Sequence, residues 1–422
     1  MRRTCVLLCA ALITPSIFGQ ASTPAPSPAL PPALTLDAAL QTALRRNPLL
    51  RAAEAEVDAT QGALDQAGAR PNPTLGIEQE DTRRETRTTT LLLTQPLELG
   101  GKRAARLGLA RSARELALAD LASRQAEVRA DTLLAFFDAL IAQERVTVAA
   151  QSVDIAASGS AAAARRVTAG KVSPTEETRA RVAEANARIE LRQAQADRLA
   201  AQRALAWAMG SAADDTPPPL DGRAESLPPP PDAQALAERV AQSPALRRAR
   251  GEVQHAQAAY ELERARRLPD LGVSLGTKRA AQTGRHQPVI GLSIPLPLFD
   301  ANTGAQLEAL RRRDAAQALA EAEERRLRAE VLQALDQLAA RAGEAQALKQ
   351  DVLPAAQSVH DAASRGFELG KFSFLDVLDA QRTLLQARTQ YFSALAQAHR
   401  AAAELERRLG TPNDRPLAGT QP

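Results

Sequence analysis

Phe367-Glu368-Leu369-Gly370-Lys371-Phe372-Ser373-Phe374-Leu375-Asp376-Val377-Leu378-Asp379-Ala380-Gln381 joins two charged, Ala-rich helical patterns through Gly-Lys-x-Ser. A glycine after a helix accepts the left-handed backbone that ends it, and a serine caps the helix that follows. The stretch therefore reads as the tight tip of a helical hairpin. The same signal stands 200 residues earlier, in Val167-Thr168-Ala169-Gly170-Lys171-Val172-Ser173-Pro174-Thr175-Glu176-Glu177. There Pro174 suits the first turn of the returning helix.

Two tips imply two copies of one plan, and subtraction supports this. Pro48, Pro73, Leu75 and Gly76 recur 196 positions later as Pro244, Pro269, Leu271 and Gly272. Pro96, Leu97 and Leu99, with Arg129 and Ala130, recur 199 later as Pro295, Leu296, Leu298, Arg328 and Ala329. Gly170, Lys171, Ser173 and Gly210 recur 200 later as Gly370, Lys371, Ser373 and Gly410. The order is kept throughout, which marks an internal repeat. The expected plan is a first repeat over 34–210 and a second over 232–410. A Pro-rich linker over 211–231 joins them, and a tail occupies 411–422.

Each repeat reads as helix, strand pair, long helix, tip, long helix. The strand pairs are expected at 74–97 and 270–297, where the apolar period changes to two. Leu271, Val273 and Leu275 alternate with Gly272, Ser274 and Gly276; Ile290, Leu292, Ile294 and Leu296 alternate with Gly291, Ser293 and Pro295. Such lengths suit tilted membrane-spanning strands. Four strands cannot close a barrel or bury both faces, so they call for other copies of the chain. No Trp or Tyr lies in them, so the usual aromatic girdle is missing.

Composition agrees with long helices: 45% hydrophobic, 3% aromatic and 24% charged. Residues 1–21 read as a secretory signal, with Arg2 and Arg3 ahead of the apolar run Cys5 to Phe18 and small residues at Gly19 and Ala21. The run is shorter than the roughly 20 residues a spanning helix needs. Both cysteines, Cys5 and Cys9, fall inside it, and Leu8 stands where a lipoprotein signal wants a small residue. Residues 22–33 form a Pro-rich leader. Without Arg2 and Arg3 the chain carries 51 Lys and Arg against 49 acids, a balance that points away from nucleic acid. His255, His286, His360 and His399 lack metal-ligand spacing and are expected on helix faces or the surface. With no Cys–His pair, no Gly-rich phosphate loop and no Gly-x-Ser-x-Gly motif, neither enzyme nor cofactor nor bound metal is expected.

Over residues 34–410 the chain resembles the TolC-type outer-membrane efflux proteins. The segment Gly370 to Ala380 is similar to the family's tip and inner-helix segment. Leu97-Glu98-Leu99-Gly100-Gly101-Lys102-Arg103, with Arg70-Pro71-Asn72-Pro73 upstream, resembles the branch that works with cobalt–zinc–cadmium exporters. The resemblance implies a mainly α fold with membrane β: a homotrimer in which four strands per chain build one twelve-stranded outer-membrane barrel. A long periplasmic α-helical barrel continues it. The implied partners are a periplasmic adaptor, an inner-membrane resistance-nodulation-division transporter and outer-membrane lipid.

The resemblance also places Asp376 and Asp379 at the narrow periplasmic mouth. They are three apart and so share a helix face. A trimer would make each a ring of carboxylates, a cation-favouring constriction. Glu176 is the first-repeat counterpart of Asp376, and Arg179 replaces the second acid, where it can pair with a neighbouring carboxylate. Gly170, Lys171, Val172 and Ser173, with Gly370, Lys371, Phe372 and Ser373, are the expected contact with the adaptor. The function read from all this is a passive exit duct for divalent heavy-metal cations. A duct for drug or type I protein export, and a periplasmic adaptor, are the competing readings.

Overall fold

The computed structural model describes residues 33–212, 217–227 and 233–410. The expected signal, nearly all of the leader, part of the linker and the tail lie outside the described residues. The first half runs α1 (Leu36–Arg46), α2 (Pro48–Gly68), β1 (Thr74–Glu80), β2 (Thr88–Leu97), α3 (Lys102–Thr168) and α4 (Pro174–Ala208). The second runs α5 (Ala233–Ala241), α6 (Pro244–Arg266), β3 (Leu271–Ala280), β4 (His286–Ser293) and α7 (Thr303–Ala347). A π turn (Leu348–Val352) then leads to α8 (Leu353–Glu368) and α9 (Phe374–Leu409). The sheet joins α3 at its start and the first tip closes it at its end. With 67 residues in α3, sheet and tip stand about 100 Å apart.

Starts and stops are local chemistry. Thr35, Asn47, Ser173, Ser243 and Ser373 each accept a backbone N–H in the first turn of the helix they precede. Pro48, Pro174 and Pro244 follow three of these caps, where a missing N–H costs nothing.

Helix faces carry a seven-residue period. Along α9 one line of buried positions runs Val377, Ala380, Leu384, Ala387, Tyr391, Ala394, Ala398, Ala401 and Leu405. They alternate by three and four, the seam of a left-handed coiled coil. In α4 the seam is alanine alone, at Ala180, Ala187 and Ala194, which lets α3 approach closely.

The second long helix was expected as one run, but the structure interrupts it. Its buried positions step by four and three through Leu327, Val331, Ala334 and Leu338 to Ala345 and Leu348, then resume at Ala356, His360, Ala363 and Phe367. From Leu348 to Ala356 is eight, where the heptad gives seven. The π turn absorbs the extra residue, with the Leu353 N–H bonded five back to Leu348. Pro354, which has no N–H, follows at once. The repeat offset grows from 199 to 200 across this same interval.

The two strand pairs are one sheet in the order β1-β2-β3-β4, antiparallel throughout. Its junction with α3 uses the two short motifs singled out above. Gln95 Nε2 donates to Pro71 O at 2.9 Å, and the chain turns through Gly100 and Gly101. Glu98 is clamped by both terminal nitrogens of Arg106, Lys102 pairs with Asp270 at 2.7 Å, and Arg103 caps Gly68 O at 2.7 Å. Hydrogen bonding to Arg106 holds the Glu98 carboxyl below its usual range. The strand expected to run through Leu296 pairs only to Ser293, opposite Gly272, because its partner β3 begins at Leu271.

Midway along the helices, residues 217–227 form a strap. Leu34 and Leu220 make a parallel bridge, and Gly222 sits against Phe136 and Leu140. Glu225 takes the Tyr391 hydroxyl at 3.0 Å and pairs with Lys349, and these contacts lower its pKa. His360 and His399 are buried, contrary to expectation. Nothing in their spacing distinguishes a seam position from a solvated one. His399 is 1% exposed, stacks on Phe137 with 3.6 Å between centroids, and donates from Nε2 to Ala224 O at 2.6 Å.

Candidate functional site

The tips are two copies of one backbone device. After α3, Gly170 takes φ +68°, its N–H bonds to Val167 O, and the Lys171 N–H bonds to Arg166 O. After α8, Gly370 takes φ +75°, with matching bonds to Phe367 O and Gly366 O. This is the Schellman closure, and a side chain at the central position would be strained.

The helices that leave the tips differ. Ser373 and Asp376 form a full capping box: Asp376 N–H donates to Ser373 Oγ, and Ser373 N–H donates to Asp376 Oδ2 at 2.9 Å. The Ser373 hydroxyl adds a third bond, to the same carboxylate oxygen, at 2.8 Å. Ser173 caps through Thr175 instead, and Glu176 makes no such return bond. Asp376 is thus held in place by its own helix start. Asp379, one turn on, is exposed. Among the described residues neither Asp379 nor Arg179 has a side-chain hydrogen bond or ion pair within the chain. The pairing foreseen for Arg179 is therefore not made inside one subunit.

The tips pack side by side. Ala163 and Ala180 of the first hairpin share a core with Ala363, Phe367, Phe374, Val377 and Ala380 of the second. The Arg166 guanidinium lies 4.4 Å over the Phe367 ring, a contact worth about 0.5–1 kcal/mol near a surface. Phe372 lies flat on Gly366, where an added Cβ would meet its ring at 2.1 Å, yet it remains 50% exposed. Leu369 and Leu375 flank it and are also exposed. Sequence reasoning passed over these two leucines. Their signal was apolar side chains in a turn that has no local use for them. The joined tips thus present an apolar patch beside a lysine at each turn. Above them a groove of about 750 Å³ runs between α3, α4 and α9, with Arg145, Glu190, Gln381, Arg382 and Arg388 on its walls.

At the other end, the sheet has an apolar face that nothing among the described residues covers. Opposed residues of an antiparallel ladder share a face. One row is Leu75, Leu93, Leu275 and Ile290; the next holds Ile77 and Leu91. All are exposed, Ile290 at 77%. The reverse face is more polar, with Thr94, Ser274 and Gly291 in one row and Leu92, Gly276 and Val289 in the next, and Thr94 and Ser274 share a hydroxyl hydrogen bond at 2.9 Å. Among the described residues no helix is long and apolar enough to cross a membrane, and no group of three or more His, Cys, Asp or Glu is set to hold a metal ion.

Long paired helices ending in a short sheet with one uncovered apolar face define a membrane-anchored channel subunit. The profile of the outer membrane efflux protein family matches residues 39–211 and again 235–411, and the chain belongs to that family. It is an outer-membrane efflux channel protein with a long helical part in the periplasm. It is 45% identical over 377 residues to the cobalt-zinc-cadmium resistance protein CzcC of Cupriavidus metallidurans, covering 89% of this chain and 90% of that one. Its fold matches the outer-membrane channel OprN with a TM-score of 0.75 at 21% identity, over 89% of each chain. It matches CusC with a TM-score of 0.74 at 18% identity, over 89% of this chain and 92% of that one.

Proposed function

We propose that three copies of this chain form the exit duct of a tripartite pump that expels divalent heavy-metal cations. The observation that carries the cargo is the 45% identity, along 89% of the chain, to a protein of cobalt, zinc and cadmium resistance. The open sheet supports the assembly. Its edges β1 and β4 are unpaired and its apolar face is bare, so three such sheets joined edge to edge close a twelve-stranded barrel in lipid. The helices continue it as a periplasmic tube built from two structural repeats, 34–210 and 232–410, joined by 211–231. Residues 1–21 direct export, and 22–33 and 411–422 flank the working parts.

The tips dock a periplasmic adaptor through Gly170 to Ser173 and Gly370 to Ser373. The adaptor links the duct to a proton-driven inner-membrane transporter of the resistance-nodulation-division class. Asp376 and Asp379, with Glu176 and Arg179, line the mouth. The duct does no chemistry and takes no cofactor: it passes cations that the transporter drives. Deleting the gene lowers tolerance to zinc, cadmium or cobalt, and the intact gene restores it. A loss confined to drug tolerance overturns the cargo. A monodisperse monomer in detergent with native helicity overturns the assembly.

A further inference from the structure

The outward face of the sheet ends in unpaired cations. One row beyond Ile77, Leu91, Thr277 and Pro288 lies the row Gln79, Thr89, Arg279 and His286. Arg87 O accepts the Ala281 N–H at 2.9 Å, so the ladder continues past Thr88 and alternation puts Arg87 on the same face as Arg279. Arg87, Arg279 and His286 are exposed, and among the described residues none has a side-chain partner within the chain.

On the helices, several arginines pair with acids one turn away, as Arg326 does with Glu323 and Arg341 with Glu344. On the reverse face of the same sheet, Lys278 is neutralised by Glu80 at 3.1 Å. The loop acid Asp81 is taken up by the Thr86 hydroxyl and the Arg83 N–H, which leaves Glu85 as the nearby acid in the loop. Among the described residues Arg87 and Arg279 are therefore left bare on the outward face, at the end of the apolar rows farthest from the helices, beside the equally unpaired loop residues Arg83, Arg84 and Arg285.

Resting on the outer-membrane duct reading, we propose that Arg87, Arg279 and His286 form a binding site for the phosphate groups of a phosphorylated glycolipid in the outer leaflet. Phosphate lies where the acyl region ends, the level this row reaches. Guanidinium binds it by paired N–H donors, and each arginine so placed strengthens attachment about fivefold. The site also supplies the interfacial anchor that the strands lack, since they carry no Trp or Tyr.

The test uses the full-length protein in phosphatidylcholine vesicles, titrated with fluorescent diphosphoryl lipid A. The wild type is expected to prefer this lipid over its dephosphorylated form. R87Q/R279Q should weaken binding about 25-fold, R87K/R279K much less, and K278Q not at all. Equal binding by the wild type and R87Q/R279Q overturns the site, as does indifference to the phosphates. Displacement by millimolar inorganic phosphate as complete as by excess lipid A overturns the lipid as its ligand. Variants are compared only where helicity and vesicle insertion equal the wild type's, and the lysine pair decides the matter if the glutamine pair misfolds. A wild type that does not insert overturns the duct reading together with this site, whereas normal insertion with unselective binding overturns the site alone.

Discussion

Asp376 and Asp379 sit one turn apart on the same exposed face, yet they should respond differently to the same substitution. Asp376 accepts from the Ser373 N–H at 2.9 Å and from its hydroxyl at 2.8 Å. Replacing it with alanine removes one arm of the capping box and a negative charge from a helix N-terminus. Each effect is worth about 0.5–1 kcal/mol at an exposed site, so the first turn of α9 loses about 1–2 kcal/mol. Asp379 has no side-chain partner among the described residues, and Asp379→Asn should stay within about 0.5 kcal/mol of the wild type. Hydrogen exchange at position 376, whose N–H donates to Ser373 Oγ, measures the first effect: opening there should rise roughly fivefold to thirtyfold in Asp376→Ala and stay unchanged in Asp379→Asn. Planar-bilayer recordings measure the second. If three copies meet at the mouth, like charges at a few ångströms cost on the order of 1–4 kcal/mol per pair. Neutralising Asp379 alone should then lower cation selectivity and relieve block by multivalent cations from the periplasmic side. Unchanged selectivity and block in Asp379→Asn would make it an ordinary solvated residue. Unchanged exchange in Asp376→Ala would refute the box.

Three further outcomes follow from particular contacts. His399 gives up a proton more readily when folded, because burial disfavours its charged form more strongly than its bond to Ala224 O favours it. A depressed pKa contributes stability above the unfolded value of 6.5 that is lost as pH falls toward the folded value, so thermal unfolding of His399→Gln should depend less on pH below 6.5 than the wild type's. In Gly366→Ala the new Cβ would sit 2.1 Å from the Phe372 ring and evict it, so adaptor cross-linking at the tip should drop while circular dichroism keeps its helical signal. Ile290→Arg puts a charge on the apolar face and should cost about 2–4 kcal/mol near the bilayer midplane, read as folded fraction by heat-modifiable gel mobility; Gln287→Arg on the reverse face should be tolerated.

Much of this protein is decided within a few residues along the chain, and those parts are legible in sequence. Gly170 and Gly370 stop their helices through bonds that reach three and five residues back, and Ser173 and Ser373 start the next ones through bonds that reach two or three forward. Alternation in β3 and the seven-residue seam of α9 likewise depend only on the pitch of a strand or helix. Even the one-residue drift of the repeat is visible as a number, although only the fold shows the π turn beside Pro354 that absorbs it.

What the tertiary structure alone decided are matters of long-range company. The Pro-rich residues 217–227 read as a linker, because composition cannot say that Gly222 lies on Phe136 or that Glu225 holds Tyr391 and Lys349. His399 reads as one polar residue on a charged helix, and it becomes buried and neutral because Phe137 and Ala224 arrive from 262 and 175 positions away. Asp376 and Asp379 read alike, and differ because only one is placed to bond back to Ser373. Two strand pairs become one sheet with a single bare apolar face because β2 finds β3 across 173 residues. Propensity and periodicity sum over neighbours in sequence, whereas burial, pairing and the loss of water around a charge depend on which distant segments the closed chain brings together.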